Sequence, residues 1–266
     1  MNVVSMRKLY SRLQSLLFAS ASVIVFFILW ELAASYLQSP YFPDPYSVLK
    51  AFITIITVGD IDGYTLAWHT LMSLERVLLG FAVGSATGVP IGLLLGIKPT
   101  LKNAVTPIIE PIRFIPPIAW IPLSIVLLIG MYRYVFLIWV GVFFPVLLDT
   151  IAGVKRTSIT LIQMARTFGA DNKNIITKII FPSSLPEIMN GLRVGLGVGW
   201  MCIVAAEMIG GEPVGLGRLI LKYANLLQID TVIVGMITIG LVGLAMNYFI
   251  LFLEKRMFRW RVEIRA

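Results

Sequence analysis

Sulfur and imidazole are nearly missing from this chain: 266 residues contain one cysteine, Cys202, and one histidine, His69. A lone cysteine excludes an intrachain disulfide framework, and a lone histidine excludes a multi-histidine metal site within one chain. No metal ligands are assigned. Charge is also scarce, at 14% of residues, while 58% are hydrophobic; soluble domains hold about 45–50% apolar residues. No Gly-x4-Gly-Lys-Ser/Thr phosphate loop occurs, so the chain has no ordinary means of holding ATP.

What is present is apolar length. Segments near the roughly 20 residues that cross a hydrocarbon core lie at about 16–38, 71–97, 105–130, 134–154, 187–210 and 229–253. They predict an all-α membrane protein with six transmembrane helices. The net charge of +8 would suit nucleic acid only if the basic residues shared one exposed face. They flank the spans instead. With the amino terminus in the cytoplasm, segments 1–15, 98–103, 155–186 and 254–266 carry fifteen Lys and Arg, and the opposite segments four. This bias predicts a multi-pass protein of the plasma or inner membrane with both termini cytoplasmic, and no nucleic-acid partner. The organisation expected is a cytoplasmic segment 1–15, a single transmembrane domain 16–254 and a basic cytoplasmic tail 255–266.

Several spans carry marks beyond hydrophobicity. In the loop after the first span, Pro40, Pro43 and Pro45 restrict the backbone, and Val48 to Val58 suit a short interfacial helix. In the second span Gly80, Gly84, Gly88, Gly92 and Gly96 recur every four residues and form a side-chain-free groove. The expectation is packing against the chain's own third or fifth span, with a second copy as the alternative. His69, Ser73 and Arg76 make one polar stripe near the start of that helix, read as a hydrogen-bonded packing feature.

The third span is interrupted by Pro107, Pro111, Pro116, Pro117 and Pro122. Proline-broken helices are tolerated in a bilayer where freed backbone groups face protein or water, so this segment is a candidate pathway lining. Glu110 and Arg113, at i,i+3, share a face and neutralise each other, either as a structural pair or at a gate. Arg193 and Glu207 lie in the fifth span, roughly 21 Å apart, so each needs its own partner; Arg193 is placed to snorkel, face a cavity or meet Glu110. Intramembrane charges are functional candidates by default, which puts Glu110, Arg113, Pro116, Pro117, Arg193 and Glu207 on the candidate pathway. Glu110 is expected to compensate one arginine and leave the other to attract an anion. Gly195, Gly197 and Gly199 superficially echo a nucleotide fingerprint, but no strand precedes them.

Between the fourth and fifth spans, "LIQMARTFGADNKNIITKIIFPSSLPEI" reads as helix, Gly169 break, helix, then Pro182 and Pro186. Ile175, Ile176, Ile179 and Ile180 mark one side of the second helix, an amphipathic face suited to a partner's groove. The spacing Ala165-x3-Gly169-x9-Ile179-x-Phe181-Pro182 resembles the coupling motif of binding-protein-dependent ABC importers, with Gln163, Met164 and Phe181 in place of its usual Glu, Ala and Leu. "FPDPYSVLKAF", "SLERVLLGF", "IRFIPPIAWIPL" and "GLRVGLGVGWMCIVAAEMIGG", in that order, resemble permeases of the nitrate/sulfonate/taurine/bicarbonate group across roughly 40–255.

That resemblance implies the type I importer permease fold, with a cytoplasmic coupling loop at about 155–186 and Gln163, Ala165, Arg166, Gly169, Ala170, Ile179 and Pro182 in the ATPase-coupling role. It implies a second permease copy, a cytoplasmic ATPase dimer that binds ATP and Mg, and an external solute-binding protein. This chain itself is expected to be no enzyme and to hold no cofactor. The implied cargo is a small oxyanion or sulfonate, with a heterocyclic or vitamin-precursor nutrient as the alternative. An ion-coupled carrier would need no docking element and usually shows inverted repeats; a membrane enzyme would need a clustered acid, base or metal set.

Overall fold

The computed structural model describes residues 3–257, so residues 258–266, most of the expected basic tail, lie outside the described residues, as do 1 and 2. Every regular element described is helical. The long helices are α1 (Val3–Leu37), α3 (Leu66–Ile97), α6 (Met131–Lys155), α9 (Phe181–Ile209) and α11 (Ile229–Met257). The shorter ones are α2 (Pro45–Thr57), α4 (Pro99–Arg113), α5 (Ile121–Leu127), α7 (Ile159–Thr167), α8 (Asn172–Ile175) and α10 (Leu216–Asn225). Among the described residues five helical segments are long and apolar enough to cross a membrane, or six if α4 and the Pro117–Leu127 segment, bent by 85°, make one broken span.

Two compact units form: one takes the chain up to Thr65 with Ile220–Met236, the other Leu66–Leu219 with the chain from Ile237 onward. In the first, Asp44 caps α2 by accepting from the Ser47 amide at 3.2 Å, and Trp30 Nε1 donates to the Pro43 carbonyl at 2.9 Å. Asp60 Oδ1 accepts from the amides of Asp62 and Tyr64, closing a turn flanked by Gly59 and Gly63. Lys222 of α10 bonds the carboxylates of both Asp60 and Asp62.

In the second unit α6 lies between α3 and α9. The glycine stripe of α3 does pack within the chain, but its partner is the fourth span rather than the third or fifth. A Cβ built at Gly80, Gly84, Gly88, Gly92 or Gly96 would meet Ile138, Val142, Val146, Thr150 or Val154 respectively, at 2.5–3.0 Å. All five partners are β-branched and recur every four residues on α6, so stiff branched side chains fill a groove of the same period. The same row serves a second neighbour, since Gly195 and Gly199 let α9 approach Val142 and Ile138.

The third span breaks where its prolines crowd. Pro116 is extended (φ −61°, ψ 138°), because a residue before proline is pushed out of the α region, and a 3-10 turn over Pro117–Trp120 leads into α5. Pro182 and Pro186 behave otherwise. They were expected to separate the coupling helix from the fifth span, yet α8 runs through a π turn, Ile176–Ile180, straight into α9, with Pro182 in its first turn and Pro186 inside it. A wide turn just before Pro182 takes up the missing donor and the crowding of its ring against the preceding turn.

Candidate functional site

The corner between α7 and α8 is built from backbone bonds. The Gly169 amide donates to the Arg166 carbonyl and the Ala170 amide to the Ala165 carbonyl, each at 2.9 Å, which is the pairing of a Schellman stop. Gly169 adopts φ +78°, with no atom within 4 Å of where a Cβ would lie. Asp171 then caps α8 by accepting from the Asn174 amide at 3.0 Å. Ile162, Ala165 and Ala170 pack on a cluster of Val154, Ile175 and Ile180.

The isoleucine face, expected to dock on a partner, is therefore turned inward: Ile175 and Ile180 are buried, and Ile176 and Ile179 are half-buried. The exposed apolar surface belongs to α7 and its cap instead. Ile159, Leu161, Met164 and Phe168 stand out from the protein, Phe168 with 85% of its surface free, beside exposed Gln163 and Arg166. At the base of the corner Arg156 pairs with Glu187.

The second feature is a cleft of about 260 Å3 at the break in the third span, lined by Arg113, Phe114, Pro117, Phe144, Pro145 and Val198 among others. Arg113 donates to Glu110 at 2.8 and 3.0 Å and lies over the Phe114 ring at 4.8 Å. The wall is apolar apart from this guanidinium. Pro116 sits at the bend itself, fully in the irregular segment.

Arg193 does not meet Glu110. Its Nη2 donates to Asn190 Oδ1 at 2.9 Å and its Nη1 faces Glu254 of α11 at 3.8 Å, while Asn190 donates to Asp149 of α6 at 2.7 Å. Glu110 is taken by Arg113 one turn away, and Arg193 shares a face with Asn190, toward α11. The expectation that one arginine stays uncompensated fails for both.

Glu207 also leaves the pathway set: it is 1% exposed and filled by the protein's own donors. Ser73 Oγ reaches both of its oxygens at 2.8 and 2.9 Å, Arg76 donates at 2.7 Å and the Gly217 amide at 3.0 Å. Arg76 further holds the Val214 carbonyl and lies over the Tyr134 ring at 4.6 Å; His69 Nδ1 pairs with Gly215, and the Leu216 amide donates to Ser73. The polar stripe of the second span is thus a knot that pins residues 214–217. Gly215 and Gly217 were not singled out from the sequence, although a Cβ at either would strike Glu207; their signal is the run "GGEPVGLG" directly after that carboxylate. Among the described residues no group of three His, Cys, Asp or Glu side chains gathers to hold a metal.

The geometry is that of a helical membrane unit with an apolar-faced corner and a cleft at a broken span. Residues 88–259 match the family described as binding-protein-dependent transport system inner membrane component. A putative ABC transporter permease of Methanocaldococcus jannaschii is 40% identical over 88% of both chains. The taurine transport system permease protein of Escherichia coli is 34% identical over 89% of this chain and 86% of its own. Among solved structures, the inward-facing MetNI methionine ABC transporter shares the fold, with a TM-score of 0.57, 24% identity and coverage of 71% of this chain and 92% of that one. The chain belongs to the binding-protein-dependent transport system inner membrane components, as a multi-pass permease subunit of an ABC importer.

Proposed function

We propose that this permease carries a small oxyanion or sulfonate inward, driven by a cytoplasmic ABC ATPase dimer that docks on the α7 corner. The observation that carries the reading is the apolar face of Ile159, Leu161, Met164 and Phe168, held out by the Gly169 stop on a helix whose other face is packed. In this orientation both termini and residues 155–186 are cytoplasmic, a placement that the distribution of Lys and Arg supports. A second copy of the chain faces the first, and an external solute-binding protein delivers cargo. ATP and Mg are bound by the ATPase, so this chain needs no cofactor of its own.

The cleft with Arg113 and Pro117 is the passage. ATPase closure moves the corner, and because α8 continues into α9, the fifth span moves with it and reshapes that cleft; hydrolysis reverses the motion. The likeness to the taurine permease favours an anion.

Phe168→Asp and Met164→Asp test the reading, since both residues are exposed and neither supports the core. The expected result is loss of ATPase co-purification and of ATP-driven uptake into proteoliposomes, with the permease still monodisperse. Wild-type ATPase binding in both variants would sink the docking assignment.

A further inference from the structure

Both bonds of the Glu110–Arg113 pair end on one atom. Arg113 reaches Glu110 Oε2 from Nε at 3.0 Å and from Nη2 at 2.8 Å. Glu110 Oε1 and Arg113 Nη1 make no hydrogen bond within the protein among the described residues. A guanidinium carries five N–H donors and a carboxylate about four acceptor sites, so each group has room for a further partner. The side chains are 31% and 44% exposed, Arg113 and Glu110 in that order, which leaves the open atoms within reach of a solute.

Arg113 lines the cleft at the break in the third span, and the rest of its wall, including Phe114, Pro117, Phe144 and Val198, is apolar. The local helix does not call for Glu110. Arg113 lies in the last turn of α4, where the dipole already favours a cation, and over the Phe114 ring at 4.8 Å. At about 260 Å3 the cleft is just below the roughly 300 Å3 at which drug-sized pockets begin, so it suits a solute of few heavy atoms. Arg193, by contrast, borders a cavity of about 60 Å3, room for water and not for a solute.

A solute of one charge fits the pair badly. An anion on Arg113 meets the Glu110 carboxylate as a like charge, and a cation on Glu110 meets the guanidinium. A molecule that carries both signs meets neither conflict. We propose that Glu110 and Arg113 recognise a small dipolar ion, an oxyanion and an ammonium joined by a short chain, and that cargo of this kind is what the cleft passes. The oxyanion takes the open donor of Arg113, the ammonium takes Glu110 Oε1, and the chain between them lies against the apolar wall. This rests on the passage and cargo class proposed above and narrows the class to a sulfonate that also bears an amino group. Glu110 then sets the specificity, since an arginine alone accepts any oxyanion.

The permease–ATPase complex, in nanodiscs and without a binding protein, is titrated by saturation-transfer NMR with 2-aminoethanesulfonate, ethanesulfonate and 3-aminopropanoate. The selectivity of the binding protein does not enter. Wild type should bind 2-aminoethanesulfonate about tenfold more tightly than ethanesulfonate, the worth of one added charge-assisted bond. Glu110→Gln should bring the two within about twofold, by weakening the dipolar ion and relieving the repulsion on the simple one. Glu110→Asp should restore much of the gap, and Arg113→Gln should weaken both sulfonates; ATPase co-purification monitors the fold of each variant. Three results overturn the proposal: ethanesulfonate bound by the wild type as tightly as 2-aminoethanesulfonate, no binding of any of the three solutes, or an equal loss for both sulfonates in Glu110→Gln, as a purely structural pair would give. The first of these leaves the oxyanion cargo intact. A wild type that binds 3-aminopropanoate and rejects both sulfonates keeps the dipolar site and counts against the sulfonate.

Discussion

Arg76 and Glu207 stand 131 positions apart in the chain and 2.7 Å apart in space, and both are more than nine-tenths buried. Ser73 and the Gly217 amide share the same carboxylate, so the pair is a closed hydrogen-bonded unit, and its two charges neutralise each other.

Removing one member should therefore cost more than removing both. Arg76→Met strands a buried carboxylate and should destabilise the permease by about 3–5 kcal/mol, whereas Arg76→Met with Glu207→Met should be milder. Thermal unfolding in detergent, followed by loss of the monodisperse peak, reads the difference. A double variant that is less stable than Arg76→Met would contradict the closed-pair account.

Gly169 is constrained by backbone conformation alone, because there is open space where a side chain would stand. Asn, which tolerates the left-handed region, should keep both ATPase binding and uptake at Gly169→Asn. Val opposes that region, so Gly169→Val should lower coupled uptake several-fold while the membrane spans stay folded. Equal uptake by the two variants would show that the turn conformation is not what matters.

The glycines of the spans divide by what lies opposite them. Gly84→Ala drives a methyl to 2.7 Å from Val142 and should cost about 1–3 kcal/mol. Gly197 has nothing within 4 Å, so Gly197→Ala should be neutral or gain about 0.5–1 kcal/mol from helix propensity. Midpoints of thermal inactivation in one detergent compare them directly; equal losses would mean that Gly197 is packed by something outside this chain.

The Lys222 clasp sets a pH window. Burial pushes the Asp60 carboxyl up, but bonds from Lys222 and from the amides of Tyr64 and Asp62 outweigh it and leave the group below its ordinary 3.8. Burial likewise pushes Lys222 down, and its bonds to Asp60 and Asp62 outweigh that and leave it above 10.5. A lowered acid contributes stability above its ordinary value and loses it as pH falls through the lower folded value. A raised base contributes below its ordinary value and loses it as pH rises through the higher folded one. Hydrogen-exchange protection of the Asp62 and Tyr64 amides should therefore be flat from about pH 5 to 9 and fall below about pH 4, and Lys222→Met should lower it throughout. Protection that falls between pH 5 and 9 would refute the clasp.

The five unbroken apolar spans, the break in the third and the glycine stop at 169 were legible because each rests on a local property: apolar length, missing donors, a left-handed turn. Partners were less legible, since a helix pattern says which face is sticky and not what it meets. The glycine stripe of α3 announced a close neighbour; the matching period-four run of Ile138, Val142, Val146, Thr150 and Val154 was equally plain in the sequence, but only pairing the two periods would have named α6. The isoleucines at 175–180 misled for a related reason. An amphipathic helix beside a membrane buries its apolar face in its own protein as readily as in a partner, and here Val154 supplied that cover. Arg193 and Glu207 were read as functional because charge in a span is costly, yet the cost is met by Asn190, Glu254, Ser73 and Arg76, which lie far away in sequence or carry no motif.

The helical segment that starts at Asn172 ends only at Ile209, a run of 38 residues. At about 1.5 Å per residue it is a beam roughly 55 Å long, with the corner at one end and the Glu207 knot at the other. Beams turn small rotations into displacements: a tilt of about 5° around the midpoint moves each end by about 2 Å in opposite directions, for a length set by helix rise alone. The pinned loop at 214–217 is then the far pan of a balance whose near pan is Gly169. A nudge at either pan reaches the other through a single piece of helix.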